Sequence, residues 1–138
     1  MSLTLDDRVA LEVLCYQYNV AADERDADAY VGCFTAEGVW DGPLGRFEGE
    51  AGLRELIAQL RASEALAGTR HWANNLVIDG DSAAGTATVA LDNLLVQASA
   101  EGPRLFSLSR SVGRLVREAG GWKFVERVVT PHAPARQP

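Results

Sequence analysis

Two side chains of this sequence have the chemistry for proton transfer: His71, one of only two histidines, and Asp23, an acid near the end of the first predicted helix. An imidazole can remove and return a proton near neutral pH. A carboxylate bonded to one ring nitrogen holds the ring in one tautomer and supports its protonated form. We therefore predict that Asp23 and His71 are partners, with polar atoms roughly 2.6–3.2 Å apart at the wall of an apolar cavity.

A third acid, Asp92, interrupts the apolar run from Val89 to Val96. An unpaired carboxylate is costly to bury in apolar surroundings. Either the strand meets water at this point or the acid is paired, and the sequence leaves both open. Asp92 is therefore a further candidate for the site.

The elements that would position Asp23 are helices. Three are predicted, over about Leu5 to Asp23 or Glu24 with Thr4 as the cap, over Ala27–Phe34, and over about Gly49–Ala62. In the first and third helices apolar residues recur every three or four positions, as on a buried helix face: Leu11, Leu14, Tyr18 and Ala22, then Leu53, Leu56, Ile57 and Leu60. Tyr16, Val20 and Asp23 form an adjoining stripe. At its end the Asp23 carboxylate is expected either to be solvated, which the stripe alone favours, or to point to the edge of the core.

His71 opens the first of four predicted antiparallel strands. Gly80-Asp81 is a short-hairpin signal after the first of them, and Val39–Asp41 is predicted to be extended. These elements and the chain length predict one α+β domain that spans residues 1–138. Residues 131–138 are predicted to be a frayed tail. The four strands span His71–Asp79, Ala83–Val96, Leu105–Arg117 and Trp122–Thr130.

Apolar residues occupy both faces of these strands: Val89 and Leu91 alternate with Ala90 and Leu94. The helices can cover one face only. A second copy of the chain would cover the other, so we predict a homodimer that pairs through the sheet.

The balance of charges excludes some classes of partner. Thirteen basic against nineteen acidic residues give a net charge of -6, which disfavours nucleic acid and anionic membranes. No apolar run has the length of a membrane-spanning helix, and the start lacks the pattern of a signal peptide. We expect a cytoplasmic chain, with Cys15 and Cys33 as buried apolar residues.

Several segments resemble the NTF2-like superfamily, in which three helices pack on a long, curved, mostly antiparallel sheet in a cone. The resemblance is carried by residues 18–30 (Tyr-Asn-Val-Ala-Ala-Asp-Glu-Arg-Asp-Ala-Asp-Ala-Tyr), 34–41, 47–56 and 120–129. Within the superfamily the pattern is similar to the SnoaL-like branch that includes scytalone dehydratase and bile acid 7α-dehydratase. Those enzymes have an acid at the end of the first helix and a histidine that opens the first long strand, which match Asp23 and His71.

This resemblance implies a lyase or isomerase that needs no cofactor and acts on a cyclic, largely apolar small molecule. Asp23 would orient His71, and His71 would transfer the proton. Asp92 resembles an acid of the bile-acid branch, whereas Asn93 and Ala22 replace a second histidine and a tyrosine of the scytalone enzyme. The residues predicted to bind or polarise the substrate are Tyr16, Tyr18, Trp40, Trp72, Asn93, Phe106 and Arg127.

Two other functions remain open. In a ketosteroid-isomerase-like enzyme Tyr18 would match the helix tyrosine, but the base would fall at Gly42, one residue after Asp41. A binding module or accessory subunit of this superfamily would have no need of an Asp–His pair. Arg127 is expected either to form a structural salt bridge or to belong to the site. With two histidines far apart in the sequence, no metal site is expected.

Overall fold

The computed structural model describes residues 2–133. These residues form three helices and six strands in the order α1, α2, β1, β2, α3, β3, β4, β5 and β6. The bounds of the helices are Leu5–Asp23, Ala27–Gly32 and Gly49–Ala62. Those of the strands are Phe34–Gly42, Gly45–Glu48, Thr69–Asp81, Thr86–Gln97, Arg104–Glu118 and Gly121–Pro131.

The strands form one sheet in the order β2-β1-β6-β5-β4-β3. All neighbours are antiparallel except β1 and β6, which run parallel. The predicted α+β class, with three helices packed on a mostly antiparallel sheet, is confirmed. The strand that carries His71 is an edge of this sheet, which leaves alternate backbone groups of β3 free for partners outside it.

Two boundaries differ from the prediction because sheet pairing overrides the local pattern. The second helix ends at Gly32. Phe34 instead opens β1 and pairs with Phe124. The predicted turn at Gly80-Asp81 is wrong, since both residues lie in β3 opposite Ala87 and Thr86. Gly80 allows close approach within the strand pair, because a side chain there would collide with the backbone of β4.

The core lies between the helices and the inner face of the sheet. The α1 stripe is buried as predicted, and Tyr18 meets Tyr30, Phe34 and Phe124 with ring centroids 5.0–6.0 Å apart. Thr4 caps α1 by accepting from the Asp7 backbone N–H at 3.1 Å. These contacts fix the direction in which the end of α1 points.

Both cysteines are buried, as predicted. Burial raises the pKa of both thiols, that of Cys33 to about 11. None of the helices in the described part of the chain is long and apolar enough to cross a membrane.

The first residues of the predicted frayed tail are hydrogen-bonded within the sheet. Pro131 still belongs to β6, and the His132 backbone N–H donates to the Leu108 carbonyl at 3.0 Å. Residues 134–138 lie outside the described residues.

Asp7 forms hydrogen bonds that connect the start of α1 to the β5–β6 hairpin. Its carboxylate accepts from the Trp122 indole at 2.8 Å and from the Arg117 guanidinium at 2.7 Å. Ser82, Trp122 and Arg117 together lower the pKa of Asp7 to about 2. The three contacts bind the charged form, so they stabilise the fold only while Asp7 is ionised.

We expect Asp7→Asn to lower the melting temperature at pH 7. Because the folded-state pKa is depressed, the stabilisation is complete above the unfolded value of about 4 and is lost as the pH falls towards about 2. The difference in melting temperature between the wild type and Asp7→Asn should therefore decrease as the pH is lowered over that range. Asp6→Asn, at the exposed neighbouring position, is the matched control. A loss of melting temperature in Asp7→Asn that stays constant from pH 7 to pH 2 would contradict the stabilising role of the Asp7 charge.

Candidate functional site

A cavity of about 330 Å³ lies between the helices and the inner face of the sheet. Its walls are mainly apolar and aromatic, from Tyr18, Tyr30, Trp40, Leu56, Leu95 and Phe106. A few polar groups interrupt them. This size and lining are typical of small-molecule sites and suit a flat, ring-containing ligand.

The Asp23 carboxylate and the His71 ring are in contact at the edge of this cavity. Asp23 Oδ1 lies 2.6 Å from His71 Nδ1. The same carboxylate accepts the His71 backbone N–H, with distances of 3.0 Å to Oδ1 and 3.2 Å to Oδ2. It thus satisfies a free backbone donor of the edge strand and holds the ring as well.

Exposure differs between the two partners. The Asp23 side chain is 8% exposed and that of His71 is 25% exposed, and His71 lines the cavity whereas Asp23 lies behind it. An ionised carboxylate only accepts hydrogen bonds, so Nδ1 carries the ring proton. In a neutral ring of this tautomer Nε2 carries the lone pair that a base needs, and His71 is one of the residues that line the cavity.

The segment after α1 fixes Asp23 through Arg25, which adopts a positive φ of 55°. The Arg25 guanidinium donates to the Ala22 carbonyl at 2.6 Å, the Leu66 carbonyl at 2.9 Å and the Thr69 hydroxyl at 3.2 Å. Arg25 therefore joins the end of α1 to the start of β3, the two elements that supply the acid and the histidine. This role of Arg25 was not predicted from the sequence, because no sequence signal marks a positive φ at an arginine.

Two phenols face the cavity from α1 and α2. The hydroxyls of Tyr18 and Tyr30 are 2.9 Å apart, and both residues are buried. Burial raises the pKa of both, with the Arg127 charge opposing it. Both phenols therefore stay protonated at neutral pH, so the pair has a hydrogen left to donate to a ligand oxygen.

Asn93 reaches the cavity from β4 within a short polar chain. Its amide donates to the Ser111 hydroxyl at 3.1 Å and accepts from Asn19 at 3.4 Å. These contacts orient the amide at the floor of the site. Ser107 and Ser109 line the same wall from β5.

Arg127 lines the cavity from β6, with its guanidinium carbon 3.8 Å from the centroid of the Tyr18 ring. Of the two expectations for Arg127, the structural salt bridge is wrong, because none of the described residues forms an ion pair with it, and Arg127 lies at the candidate site. Its exposure is 1%.

Three predicted site residues lie outside the cavity. Tyr16 is 43% exposed and donates to Glu12, and Trp72 is 68% exposed on the outer face of the sheet. Asp92 also points to that outer face, where it contacts Asn75 at 3.2 Å and His132 at 3.3 Å. The prediction that Asp92 joins Asp23 and His71 is therefore wrong. Of the predicted residues, Tyr18, Trp40, His71, Asn93, Phe106 and Arg127 do line the cavity.

The ketosteroid-isomerase-like arrangement is not present. Asp41, its displaced base, forms a salt bridge with Arg46 at 3.5 Å, with both side chains about half exposed. It does not line the cavity. Within residues 2–133 no cluster of three His, Cys, Asp or Glu side chains could hold a metal.

Comparisons with known proteins support this fold. The family model described as "SnoaL-like domain" matches residues 3–128. No curated protein is significantly similar in sequence.

Solved structures of the same fold cover nearly the whole chain. A cystatin-like protein of unknown function from Nostoc punctiforme is 20% identical, with a TM-score of 0.85 and 96% of each chain covered. An NTF2-like protein from Novosphingobium aromaticivorans is 21% identical, with a TM-score of 0.84 and coverage of 95% and 85%. A Catenulispora acidiphila protein in complex with S-DNPA is 20% identical, with a TM-score of 0.78 and coverage of 90% and 92%. At these identities the likeness concerns the fold alone.

Proposed function

Because the chain belongs to the SnoaL-like domain family, we propose that it is a cofactor-free lyase or isomerase that transfers a proton on a cyclic, largely apolar small molecule. The observation that carries this proposal is the contact of 2.6 Å between Asp23 and His71 at the edge of an apolar cavity. A carboxylate behind the ring and an open ring nitrogen in front of it are what general base catalysis requires.

His71 is the base in the proposed reaction. Nε2 takes a proton from a carbon next to a carbonyl, and Asp23 stabilises the imidazolium that forms. In an elimination the electron pair forms a carbon–carbon double bond, and the imidazolium protonates the departing hydroxyl, which leaves as water. In an isomerisation the same proton returns to another carbon.

The charge that develops on the substrate carbonyl needs a hydrogen-bond donor. The Tyr18–Tyr30 pair supplies one, and the Asn93 amide is the nearest alternative among the predicted residues, since Asp92 faces away. Donors aimed at a developing oxyanion in a dry cavity contribute strongly to catalysis. Trp40 and Phe106 would contact the flat faces of the ring.

The competing function is a binding module that holds a small molecule without changing it. A structural neighbour was solved in complex with S-DNPA, and an apolar cavity alone would serve that role. Exchange of a carbon-bound hydrogen separates the two functions, because only a base in the cavity accelerates it.

The test uses the ring ketone 1-tetralone in D2O, with loss of the hydrogens next to its carbonyl followed by proton NMR. We expect the protein to accelerate exchange by at least about 100-fold over buffer. Saturation with ketone concentration would place the reaction in a binding site. Binding of 1-tetralone without acceleration of exchange would favour the binding module.

A homodimer through the outer face of the sheet is a further part of the proposal. On that face Trp72, Leu94 and Leu108 form one cross-strand row, and Trp72 and Leu108 are 68% and 47% exposed. Exposed apolar rows of this kind are typical of interfaces between subunits.

We expect light scattering at micromolar concentration to give twice the mass of one chain. Leu108→Glu should shift the protein to monomer, because a charge in a desolvated interface is costly. Val13→Glu is the matched control, since Val13 is 44% exposed on α1, away from the sheet. A wild-type monomer would contradict the proposed assembly.

A further inference from the structure

Arg127 is a buried cation at the cavity wall, and none of the residues 2–133 is its counter-ion. We propose that the ligand of this cavity carries a carboxylate that pairs with the Arg127 guanidinium. This inference rests on the proposed function only in assigning the cavity as the ligand site, and it adds the chemical class of the ligand: a cyclic carboxylic acid.

The guanidinium has unused hydrogen-bonding capacity. Nε and Nη2 are sealed from solvent with no partner in the described part of the chain. No described residue accepts a hydrogen bond from Nη1, the third nitrogen. Arginine does not lose its proton inside proteins, so the charge persists and remains unneutralised.

The surroundings of Arg127 support the cation but do not neutralise it. The guanidinium carbon lies 3.8 Å from the Tyr18 ring centroid and 5.3 Å from that of Phe124. Aromatic faces attract a cation and hold its plane in place. They accept no hydrogen bond along the edge of the guanidinium, and that edge is where a carboxylate binds.

The charge of the cavity wall favours an anion. The chain has nineteen acidic and thirteen basic residues. Even so, no Asp or Glu is among the residues that line the cavity, whereas Arg25 and Arg127 both line it. Asp23 lies behind His71 and is engaged there. A neutral apolar ligand would leave Arg127 unpaired, whereas a carboxylate would compensate a charge that is otherwise costly to bury.

A comparison with Arg25 separates a structural arginine from a ligand-binding one. The Arg25 guanidinium donates to two carbonyls and one hydroxyl that hold the chain together. Arg127 makes no comparable contact among residues 2–133, so the packing of the described chain does not account for its charge.

The test compares two ligands of equal shape, 2-naphthoate and 2-naphthamide, by calorimetric titration at pH 8. We expect wild-type protein to bind the carboxylate at least about ten-fold more tightly than the amide. Arg127→Gln should reduce this preference to within about two-fold, because the glutamine amide carries no charge. The ratio of the two affinities isolates the charge, since a general loss of packing would weaken both ligands alike.

Arg110→Gln is the matched control, because it removes the same charge from an exposed position on β5 and should keep the preference. His71→Ala should also keep it, which separates this inference from the catalytic proposal. Equal affinities in wild type would overturn the inference whether or not Arg127→Gln folds. A carboxylate preference that survives in folded Arg127→Gln would overturn it as well.

Discussion

Replacing His71 with alanine is expected to reduce exchange of the ring-ketone hydrogens by about 100- to 10,000-fold, the usual contribution of a general base. The protein should stay folded, because the side chain is 25% exposed at the cavity wall and contributes little packing. Exchange followed by NMR gives the rate, and circular dichroism checks the fold.

The second histidine provides the control for this substitution. His132 lies on the outer face of the sheet beside Asp92. His132→Ala should therefore catalyse exchange of the ketone hydrogens at the wild-type rate. Wild-type exchange in folded His71→Ala would remove His71 from the mechanism.

The second large effect is expected from Asp23→Asn. An amide can still accept the His71 backbone N–H but cannot stabilise an imidazolium as a carboxylate does. The exchange rate should therefore fall by at least about 100-fold, whereas the loss in unfolding free energy should stay within about 1–3 kcal/mol. Exchange kinetics and urea denaturation measure the two effects separately.

Glu24 is the matched acid for this experiment. It follows Asp23 in the chain and pairs with Arg70 at 2.5 Å on the surface, with its side chain 58% exposed. Glu24→Gln removes the same charge one residue away and should change neither rate nor stability appreciably. Equal rate losses in Asp23→Asn and Glu24→Gln would indicate a general electrostatic effect instead of a specific pair.

The elements of the fold were predictable because local patterns specify them, and the central contact was predictable only with the family resemblance. The spacing of Leu11, Leu14 and Tyr18 sets the phase of α1, and that phase directs its last turn towards the strand that begins near His71. The resemblance supplied the pairing of Asp23 with His71. Helical phase places Asp23 at the end of its stripe but does not select its partner, because the partner lies on a strand 48 residues away.

The errors concern features that depend on register or on rare backbone geometry. Asp92 pairs with Asn74, and Asn93 with Ala73, so neighbouring residues of β4 face opposite sides of the sheet and only Asn93 reaches the cavity. The register of β3 shifts between Asn74 and Val77, which no local pattern announces.

The contacts of Arg25, and the absence of a salt bridge to Arg127 among the described residues, could not be predicted from the sequence for physical reasons. Arg25 has a positive φ, and its side chain binds the Leu66 carbonyl and the Thr69 hydroxyl, which are distant in the sequence. A salt bridge was the natural expectation for Arg127, because buried charges are normally paired. Only the structure shows that its described neighbours on α1 and β6 are the aromatic rings of Tyr18 and Phe124 and not a carboxylate.

The most direct test of the central claim is rescue of His71→Ala by free imidazole. Removal of the ring leaves a space beside the Asp23 carboxylate, where an imidazole from solution can bind as the missing base. After subtraction of the protein-free rate, exchange of 1-tetralone should rise in proportion to imidazole concentration in His71→Ala. The rise should be absent when Asp23→Ala is added. Identical imidazole dependence with and without Asp23 would contradict the account of this cavity as an Asp–His proton-transfer site.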